Sequence, residues 1–283
     1  MAGPPGTLVE LFRAGWPADP AATLLLETPG GVRVTYADAD HRSAQLARVL
    51  ALSGVRRGDR VAIQVEKSPE AVLLYLACLR YGAALVPVNP AYGPDEVAYL
   101  VDDAEPAMFL DDRRLAELGC AADEQPPTFD DVELSPDDLA AILYTSGTTG
   151  RPKGAMLSQG NLASNADVLR RGWGFSADDV LLHALPIFHA HGLFVAINCV
   201  LASGSTMVFL PRFGVEQVLE VLPRCTVMMG VPTFYTRLLD DPRFQSAVCS
   251  GMRLFISGSA PLPRARTRPS APAPATPSSS ATG

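Results

Sequence analysis

Apolar positions in the first half of the chain follow two alternating spacings, one typical of buried strands and one typical of helices. Short apolar runs at 61–65 and 84–88 predict buried strands. Helical spacing follows Thr35, where the pattern Thr-x-x-Asp is typical of a capping box. Further helices are predicted to begin at Ser68, which precedes a proline, and at Pro94. The first half therefore alternates strand and helix.

The same alternation continues after an acidic, proline-containing stretch at 123–138, which we interpret as a surface connection. The predicted strands of the second half are 140–144, 180–185, 205–210, 226–229 and 253–257, and the predicted helices begin at Ser158 and Gly192 or cover 215–222 and 233–239. Strands that alternate with helices indicate parallel sheets covered by helices. We expect an α/β fold built from βαβ layers.

The end of the chain has a different composition. Residues 263–283 contain no Val, Ile, Leu or aromatic residue, so they cannot bury enough apolar area to offset the entropy of ordering them. We expect a folded region over 1–262 and a disordered Pro/Ala/Ser-rich tail over 263–283. The abrupt change prompts the hypothesis that the tail is a reading frame translated out of phase. The DNA downstream of codon 262, read in all three frames, tests it.

Composition narrows the classes of function. Hydrophobic residues make up 48% of the 283 residues, which is ample for a core, and the net charge of −7 gives no electrostatic footprint for nucleic acid or for an anionic membrane. The longest apolar stretch, 193–202, is too short to span a bilayer, and no secretory leader is visible, so a soluble cytoplasmic protein is expected. Apolar surroundings predict buried, reduced thiols for the five cysteines, Cys78, Cys120, Cys199, Cys225 and Cys249.

The stretch most informative about chemistry is the polar segment 144–154, Tyr-Thr-Ser-Gly-Thr-Thr-Gly-Arg-Pro-Lys-Gly. Its two inner glycines allow the backbone to approach a ligand closely, and such loops make concave anion sites. Hydroxyl donors and one lysine complete a set suited to a polyphosphate. The set is Thr145, Ser146, Gly147, Thr148, Thr149, Gly150 and Lys153. The spacing matches neither a Walker A loop nor a dinucleotide fingerprint.

Histidines and arginines supply further candidates. His183, His189 and His191 fall in one segment, and a zinc site, a purely structural role and a role in substrate binding are all open readings. No Cys or carboxylate pattern supports zinc. Arg237 and Arg253 carry charge that a dicarboxylate could use, but surface ion pairs are the better interpretation.

The polar segment resembles the signature loop of the adenylate-forming superfamily of acyl-CoA synthetases, luciferases and peptide-synthetase adenylation domains. The resemblance implies that this loop handles the β- and γ-phosphates of ATP, with Thr148 and Lys153 as catalytic residues. Segment 183–192 resembles the family's aromatic/His segment beside the acyl pocket, and 230–238 resembles its pocket-lining helix. Segment 254–262 resembles the strand and turn that flank adenine, which implies nucleotide contacts from Gly258, Ser259, Ala260 and Pro261.

The resemblance covers 1–262 and is strongest to the malonyl-CoA synthetases, which implies the large N-terminal domain of that family, here incomplete. It implies that His189, with His191 beside it, contacts the distal carboxylate of malonate. An imidazole can donate to a carboxylate, and protonation would strengthen the bond. The arginine that the family uses to clamp this carboxylate would fall within the tail. Arg268 lies near that place, but its flanking motif is absent, so the role is not transferred to it.

The implied reaction joins ATP and a carboxylate into an acyl-adenylate, which the thiol of CoA then attacks; ATP, Mg²⁺ and CoA are the expected cofactor, metal and co-substrate. No nucleophilic side chain is needed, in agreement with the absence of G-x-S-x-G. The family's aromatic-Gly-x-Thr-Glu motif, whose Glu binds Mg²⁺, is also absent, so the chain is expected to be incomplete and inactive. Alternatives are a non-catalytic nucleotide-binding remnant or a carrier-protein-loading adenylation domain. The latter predicts an acidic pocket residue near 232–235, which the sequence lacks.

Overall fold

The structure is a computed structural model and describes residues 6–145 and 151–259. In chain order the strands are β1 (Leu24–Glu27), β2 (Arg33–Thr35), β3 (Arg60–Gln64), β4 (Ala84–Pro87), β5 (Met108–Asp111), β6 (Leu139–Thr145), β7 (Lys153–Ser158), β8 (Val180–His183), β9 (Thr206–Phe209), β10 (Val227–Gly230) and β11 (Leu254–Ser257). The helices are α1 (Leu8–Gly15), α2 (Tyr36–Leu52), α3 (Pro69–Tyr81), α4 (Pro94–Ala104), α5 (Asp112–Asp123), α6 (Gln159–Gly172), α7 (Asn198–Ser203), α8 (Val215–Val221) and α9 (Pro232–Leu239). A π-helical segment, His191–Ile197, leads into α7, and a short 3-10 turn, Leu222–Arg224, follows α8.

The strands form two sheets. The first, which we call the large sheet, has the order β11-β10-β8-β9-β1-β2, and the second, the small sheet, has the order β5-β3-β4-β6-β7. Strand pairs are parallel except β1–β2 and β6–β7, which are antiparallel. The parallel α/β prediction is confirmed. The tail 263–283 lies outside the described residues.

Local signals in the sequence explain where several helices start and stop. The hydroxyl of Thr35 accepts from the Asp38 amide at 3.0 Å, and the Thr35 amide donates to the Asp38 carboxylate at 2.9 Å, which completes the predicted capping box. The Ser68 hydroxyl caps α3 in the same way. Helix α3 ends at Gly82, whose φ of +81° is the left-handed conformation that glycine adopts without strain.

The core joins parts of the chain that are far apart in sequence. Tyr36, at the start of α2, is fully buried, and its hydroxyl donates to the carbonyls of Val200 and Ser205. Helix α1 packs so closely on α7 that a Cβ on Gly15 would lie 2.1 Å from the carbonyl oxygen of Ala202. The amino-terminal segment is therefore an integral part of the layer that covers the large sheet.

The predicted surface connection matches the irregular segment between α5 and β6 to within one residue, and it is firmly anchored on the fold. Helix α5 continues to Asp123, and the irregular segment after it is held by Arg80, which is only 5% exposed. The Arg80 guanidinium donates to the Phe129 carbonyl at 2.8 Å and to the Asp131 carboxylate at 2.7 Å. Charge-assisted bonds of this kind are stronger than neutral ones, so the connection is fixed on the fold.

Other expectations need correction. The β1–β2 hairpin, β5 and α5 were not predicted from the sequence, and the helix expected from Gly192 begins one residue earlier with π-helical turns. Cys120 is exposed because α5 turns Leu115 and Leu118 inward and places Cys120 on its outer side. Cys78, Cys199 and Cys225 are buried, as predicted, and burial raises the pKa of each thiol to about 12. No helix within 6–145 and 151–259 has the length and apolar character needed to cross a bilayer.

Candidate active site

The carboxyl ends of the large-sheet strands bring the candidate residues together. Parallel pairing sets Met229 of β10 beside His183 at the end of β8, and Gly230 beside Ser257 at the end of β11. Open parallel sheets bind their ligands at this edge. The fold therefore collects the histidine segment and the Gly258–Ser259 turn on the edge where a ligand site is expected.

His183 is fully buried at this edge and contacts both Lys67 and Gly192. We call His183 with these contacts the His183 hub. The ammonium of Lys67 lies 2.8 Å from Nδ1 of His183 and 2.8 Å from its carbonyl oxygen, while Nε2 lies 2.9 Å from the carbonyl oxygen of Gly192. Lysine can only donate and a carbonyl can only accept, so Nδ1 accepts and Nε2–H donates. Burial, reinforced by the charge of Lys67, holds the pKa of His183 well below its usual value, so the ring is neutral.

The hub fixes the turn that carries the other two histidines. At Gly192 the chain folds back so tightly that a Cβ would lie 2.0 Å from the carbonyl oxygen of Pro186. Only glycine fits this close approach. The turn exposes His189, whose ring lies 4.4 Å from that of Phe188, and leaves His191 half-buried.

His191 contacts the turn after β11. A Cβ on Gly258 would lie 2.9 Å from Cε1 of His191, and the Ser259 hydroxyl lies 3.3 Å from its Nδ1. Gly258 is itself held by a hydrogen bond from its amide to the Gly230 carbonyl. A residue predicted to bind the acid and two predicted to bind the nucleotide are thus in direct contact. Partial burial lowers the pKa of both His189 and His191, so both rings are neutral at pH 7 before an anion binds.

The segment predicted to line a pocket starts at the end of β10. Helix α9 begins at Pro232, and its Phe234 ring stacks on Phe213 with centroids 4.0 Å apart. The hydroxyl of Tyr235 donates to the Ile256 carbonyl at 2.5 Å and so ties α9 to β11. Phe234 and Tyr235 also crowd Gly230, where a Cβ would lie within 3.3 Å of both rings. Aromatic side chains therefore border one side of the site.

The predicted phosphate loop is held by an antiparallel hairpin. Thr145 ends β6 and pairs with Lys153, which begins β7, so Lys153 lies on a strand and not in the open polar loop that the sequence indicated. The hairpin is tied to α4, because the Tyr144 hydroxyl donates to Asp103 at 2.6 Å and the Tyr99 hydroxyl donates to the Pro152 carbonyl at 3.0 Å. Ser146, Gly147, Thr148, Thr149 and Gly150 lie outside the described residues, as do Ala260 and Pro261.

Arg253 has the ion-pair role that the sequence favoured. Its guanidinium makes two bonds to the buried carboxylate of Asp179, at 2.7 and 2.6 Å, and a third to the Trp173 carbonyl. Arg237, in contrast, lies over the Phe213 ring, with its guanidinium carbon 5.0 Å from the ring centroid. Arg253 is fully used in joining β11 to the segment before β8.

Metal ligands of the kind the resemblance implies are not assembled in the part of the chain that the structure describes. No group of three or more His, Cys, Asp or Glu side chains there is placed to hold an ion. The described residues therefore supply no preassembled metal site of three or more such ligands.

Sequence comparison gives the family. The AMP-binding enzyme family matches residues 12–270. The chain belongs to this family. A feruloyl-CoA synthase from an Amycolatopsis species is 34% identical over 252 residues, which are 83% of this chain and 51% of that protein. The mouse mitochondrial malonate–CoA ligase ACSF3 is 34% identical over 270 residues, which are 81% of this chain and 46% of the ligase.

Structural comparison agrees with this family and with the N-terminal domain fold. ATP-bound MatB from Rhodopseudomonas palustris superposes with a TM-score of 0.83 at 46% identity, over 89% of this chain and 55% of MatB. The chain spans about half the length of the curated relatives it matches.

Sequence reasoning missed Lys67. Lys67 stands directly before the cap of α3, where a surface role is the ordinary expectation, and its partner His183 is 116 positions away. No signal in the sequence indicated this contact, because Glu66 and Glu70 flank Lys67 and favour a surface ion pair.

Proposed function

We propose that this chain is the acid- and nucleotide-binding part of an ATP-dependent acid–CoA ligase that activates malonate through an acyl-adenylate. The contact of His191 with Gly258 and Ser259 carries the proposal, because it joins the segment expected to bind the acid to the turn expected to bind the nucleotide. Adenylation requires the carboxylate and the α-phosphate to meet, and holding reactants together accounts for much of such catalysis.

The choice of malonate rests on MatB, a malonyl-CoA synthetase that is 46% identical to this chain. The feruloyl-CoA synthase, the mouse malonate–CoA ligase and an Arabidopsis 4-coumarate–CoA ligase are 31–34% identical, so they do not discriminate between acids. His189 offers the physical basis, because an exposed imidazole at this edge can donate to a second carboxylate that ferulate and coumarate lack.

In this proposal the hairpin of β6 and β7 presents the phosphate loop. Thr145 and Lys153 hold its two ends by strand pairing, and Lys153 is exposed, so its ammonium is free to meet a phosphate. We assign Thr148 and Lys153 to the β- and γ-phosphates, and Ser146, Gly147, Thr149 and Gly150 to the same anion cradle. Pyrophosphate is the leaving group and comes from ATP. The protein holds the reactants in position and places positive charge beside the phosphates. CoA is the expected acceptor of the acyl group. The cytoplasm remains the predicted compartment.

A hybrid enzyme tests the proposal directly. Residues 1–259 of this chain would be joined to the part of R. palustris MatB that lies beyond the matched region, and pyrophosphate–ATP exchange would be measured with a panel of acids. We expect exchange that depends on malonate and exceeds that with acetate, ferulate or coumarate. Exchange with ferulate or coumarate above malonate would refute the substrate. ATP binding with no acid-dependent exchange would favour a non-catalytic nucleotide-binding remnant.

A further inference from the structure

A pocket lies on the same edge of the large sheet as the histidine segment, towards β1. It has a volume of about 230 Å³ and is bordered by the turn after β1, the start of α3, the end of β9 and α8. Since a water molecule occupies about 30 Å³ of the liquid, the space holds the equivalent of ~8 waters. Its lining residues are Thr28, Pro29, Gly30, Lys67, Pro69, Phe209, Pro211 and Gln217.

The pocket contains one cation that lacks a counter-charge. The Lys67 ammonium uses two donors on His183 and lies 4.2 Å from the centroid of the Phe209 ring. An ammonium has three donors, and among the described residues the third has no partner and no carboxylate pairs with Lys67. Lys67 is half-buried, and a partly desolvated ammonium without a carboxylate partner favours an anion beside it.

The walls indicate what kind of anion fits. Phe209 and three prolines supply apolar surface, while Thr28 and Gln217 supply the polar groups apart from Lys67. An inorganic anion would leave the apolar walls without a partner. An organic carboxylate places its charge on Lys67 and its hydrocarbon part on Phe209.

We propose that this pocket binds a small organic carboxylate, with the carboxylate on Lys67 and the hydrocarbon part against Phe209 and the prolines. The site is distinct from the one around His191, because it lies on the β1–β9 side of the sheet and shares with that site only the His183 hub. Lys67 contacts both the pocket and His183, so an occupant sits one hydrogen bond from the histidine that fixes the His189–His191 turn. The proposal does not depend on the function proposed above.

Benzoate and its neutral isostere benzamide are suitable probes of the full 283-residue chain. Titration followed by two-dimensional amide NMR is expected to show saturable benzoate binding, with shifts at Thr28, Gly30 and Gln217 and none with benzamide. Equal shifts with both probes, or benzoate shifts confined to Gly192 and Gly258, would overturn the proposal. Saturation by inorganic phosphate without benzoate binding would overturn the organic class of ligand.

Two variants separate binding from folding. Lys67→Met removes the ammonium and should weaken benzoate roughly 10- to 150-fold, the range for loss of a hydrogen bond to a charged group. Since this change also breaks the contact with His183, Gln217→Glu provides a test that leaves the hub intact. It adds a carboxylate to the pocket lining and should weaken benzoate by at least about fivefold.

Gln245→Glu adds the same charge outside the pocket and should leave benzoate affinity unchanged. Benzoate affinity that is equal in the parent, Lys67→Met and Gln217→Glu proteins would refute the site.

Discussion

Gly258 lies directly against the imidazole of His191, and a Cβ at this glycine would come within 2.9 Å of Cε1 of the ring. We expect Gly258→Ala in the hybrid enzyme to displace His191 while the fold remains. A displacement of about 1 Å in a positioned group can cost ~100-fold in rate, so kcat/KM for malonate should fall by about 10- to 100-fold. Steady-state kinetics and thermal unfolding measure the two effects separately.

The matched control is Gly172→Ala at the end of α6, where a Cβ would meet no heavy atom within 4 Å. It should leave both activity and melting temperature unchanged. A Gly258→Ala enzyme with parental kinetics would remove His191 from the acid or nucleotide site.

Lys153 and Thr148 are expected to act on the phosphates. Lys153→Ala and Thr148→Ala should each slow pyrophosphate–ATP exchange by about 100-fold, because each removes a donor aimed at developing charge. Met156→Ser is a suitable control, since Met156 lies on the same strand as Lys153 and is 72% exposed. Exchange in either loop variant within twofold of the parent would argue against the phosphate role.

His189 is expected to discriminate between acids. His189→Ala should reduce kcat/KM for malonate roughly 10- to 150-fold more than for acetate or propionate, because only malonate has a second carboxylate to lose its charge-assisted bond. His189→Gln keeps a donor and should restore part of the difference. An equal loss for mono- and dicarboxylates would assign His189 to general structure.

The pH dependence of malonate binding should also show the contribution of His189. The pKa of His189 is lowered in the free protein, so the ring is neutral at pH 7. We expect it to take up a proton when a carboxylate binds beside it. The KM for malonate should therefore fall as the pH is lowered from 8 to 6, whereas the KM for acetate should change little. The His189→Ala enzyme should lose this difference.

Gly192 is expected to be essential for folding. A Cβ there would lie 2.0 Å from the backbone oxygen of Pro186, so Gly192→Ala forces the turn open. The cost should lie near the upper end of overpacking effects, about 3 kcal/mol of the free energy of unfolding. Urea denaturation of the 283-residue chain measures it, with Gly172→Ala as the reference. A loss below about 1 kcal/mol would show that the turn can adjust.

Stability should also fall in mild acid because of the histidine segment. The folded-state pKa of His183 lies well below the usual value near 6.5, so the unfolded chain binds a proton that the native hub excludes. The free energy of unfolding should therefore decrease as pH falls below about 6.5, by at most about 1.4 kcal/mol per pH unit for this group. His189 and His191 act in the same direction.

Comparison of the parent with His183→Gln over this pH range isolates the contribution of the hub, since the variant should lose stability less steeply. Identical slopes in the two proteins would show that His183 titrates normally. His183→Gln should also be less stable than the parent at pH 8, because a side-chain amide cannot reproduce both ring contacts of His183.

The sequence by itself determined the features that depend on neighbours along the chain. Thr35 and Asp38 cap each other across three positions, and Gly82 ends α3 by its own conformation, so local chemistry alone was sufficient. The alternation of strand and helix likewise predicted the parallel sheets. The segment 144–154 was distinctive enough to indicate the family without any tertiary information.

Tertiary structure decided the features that depend on contacts between distant parts of the chain. Lys67 and His183 are 116 positions apart, and each could as well have been an ordinary surface or core residue. Lys153 looked like part of an open loop because a short strand paired antiparallel with β6 has little pattern of its own. The contact between His191 and Gly258 required β8, β10 and β11 to lie side by side in register. Such contacts arise from long-range packing. The local sequence decides helix caps and strands, but it does not show which distant residues will meet.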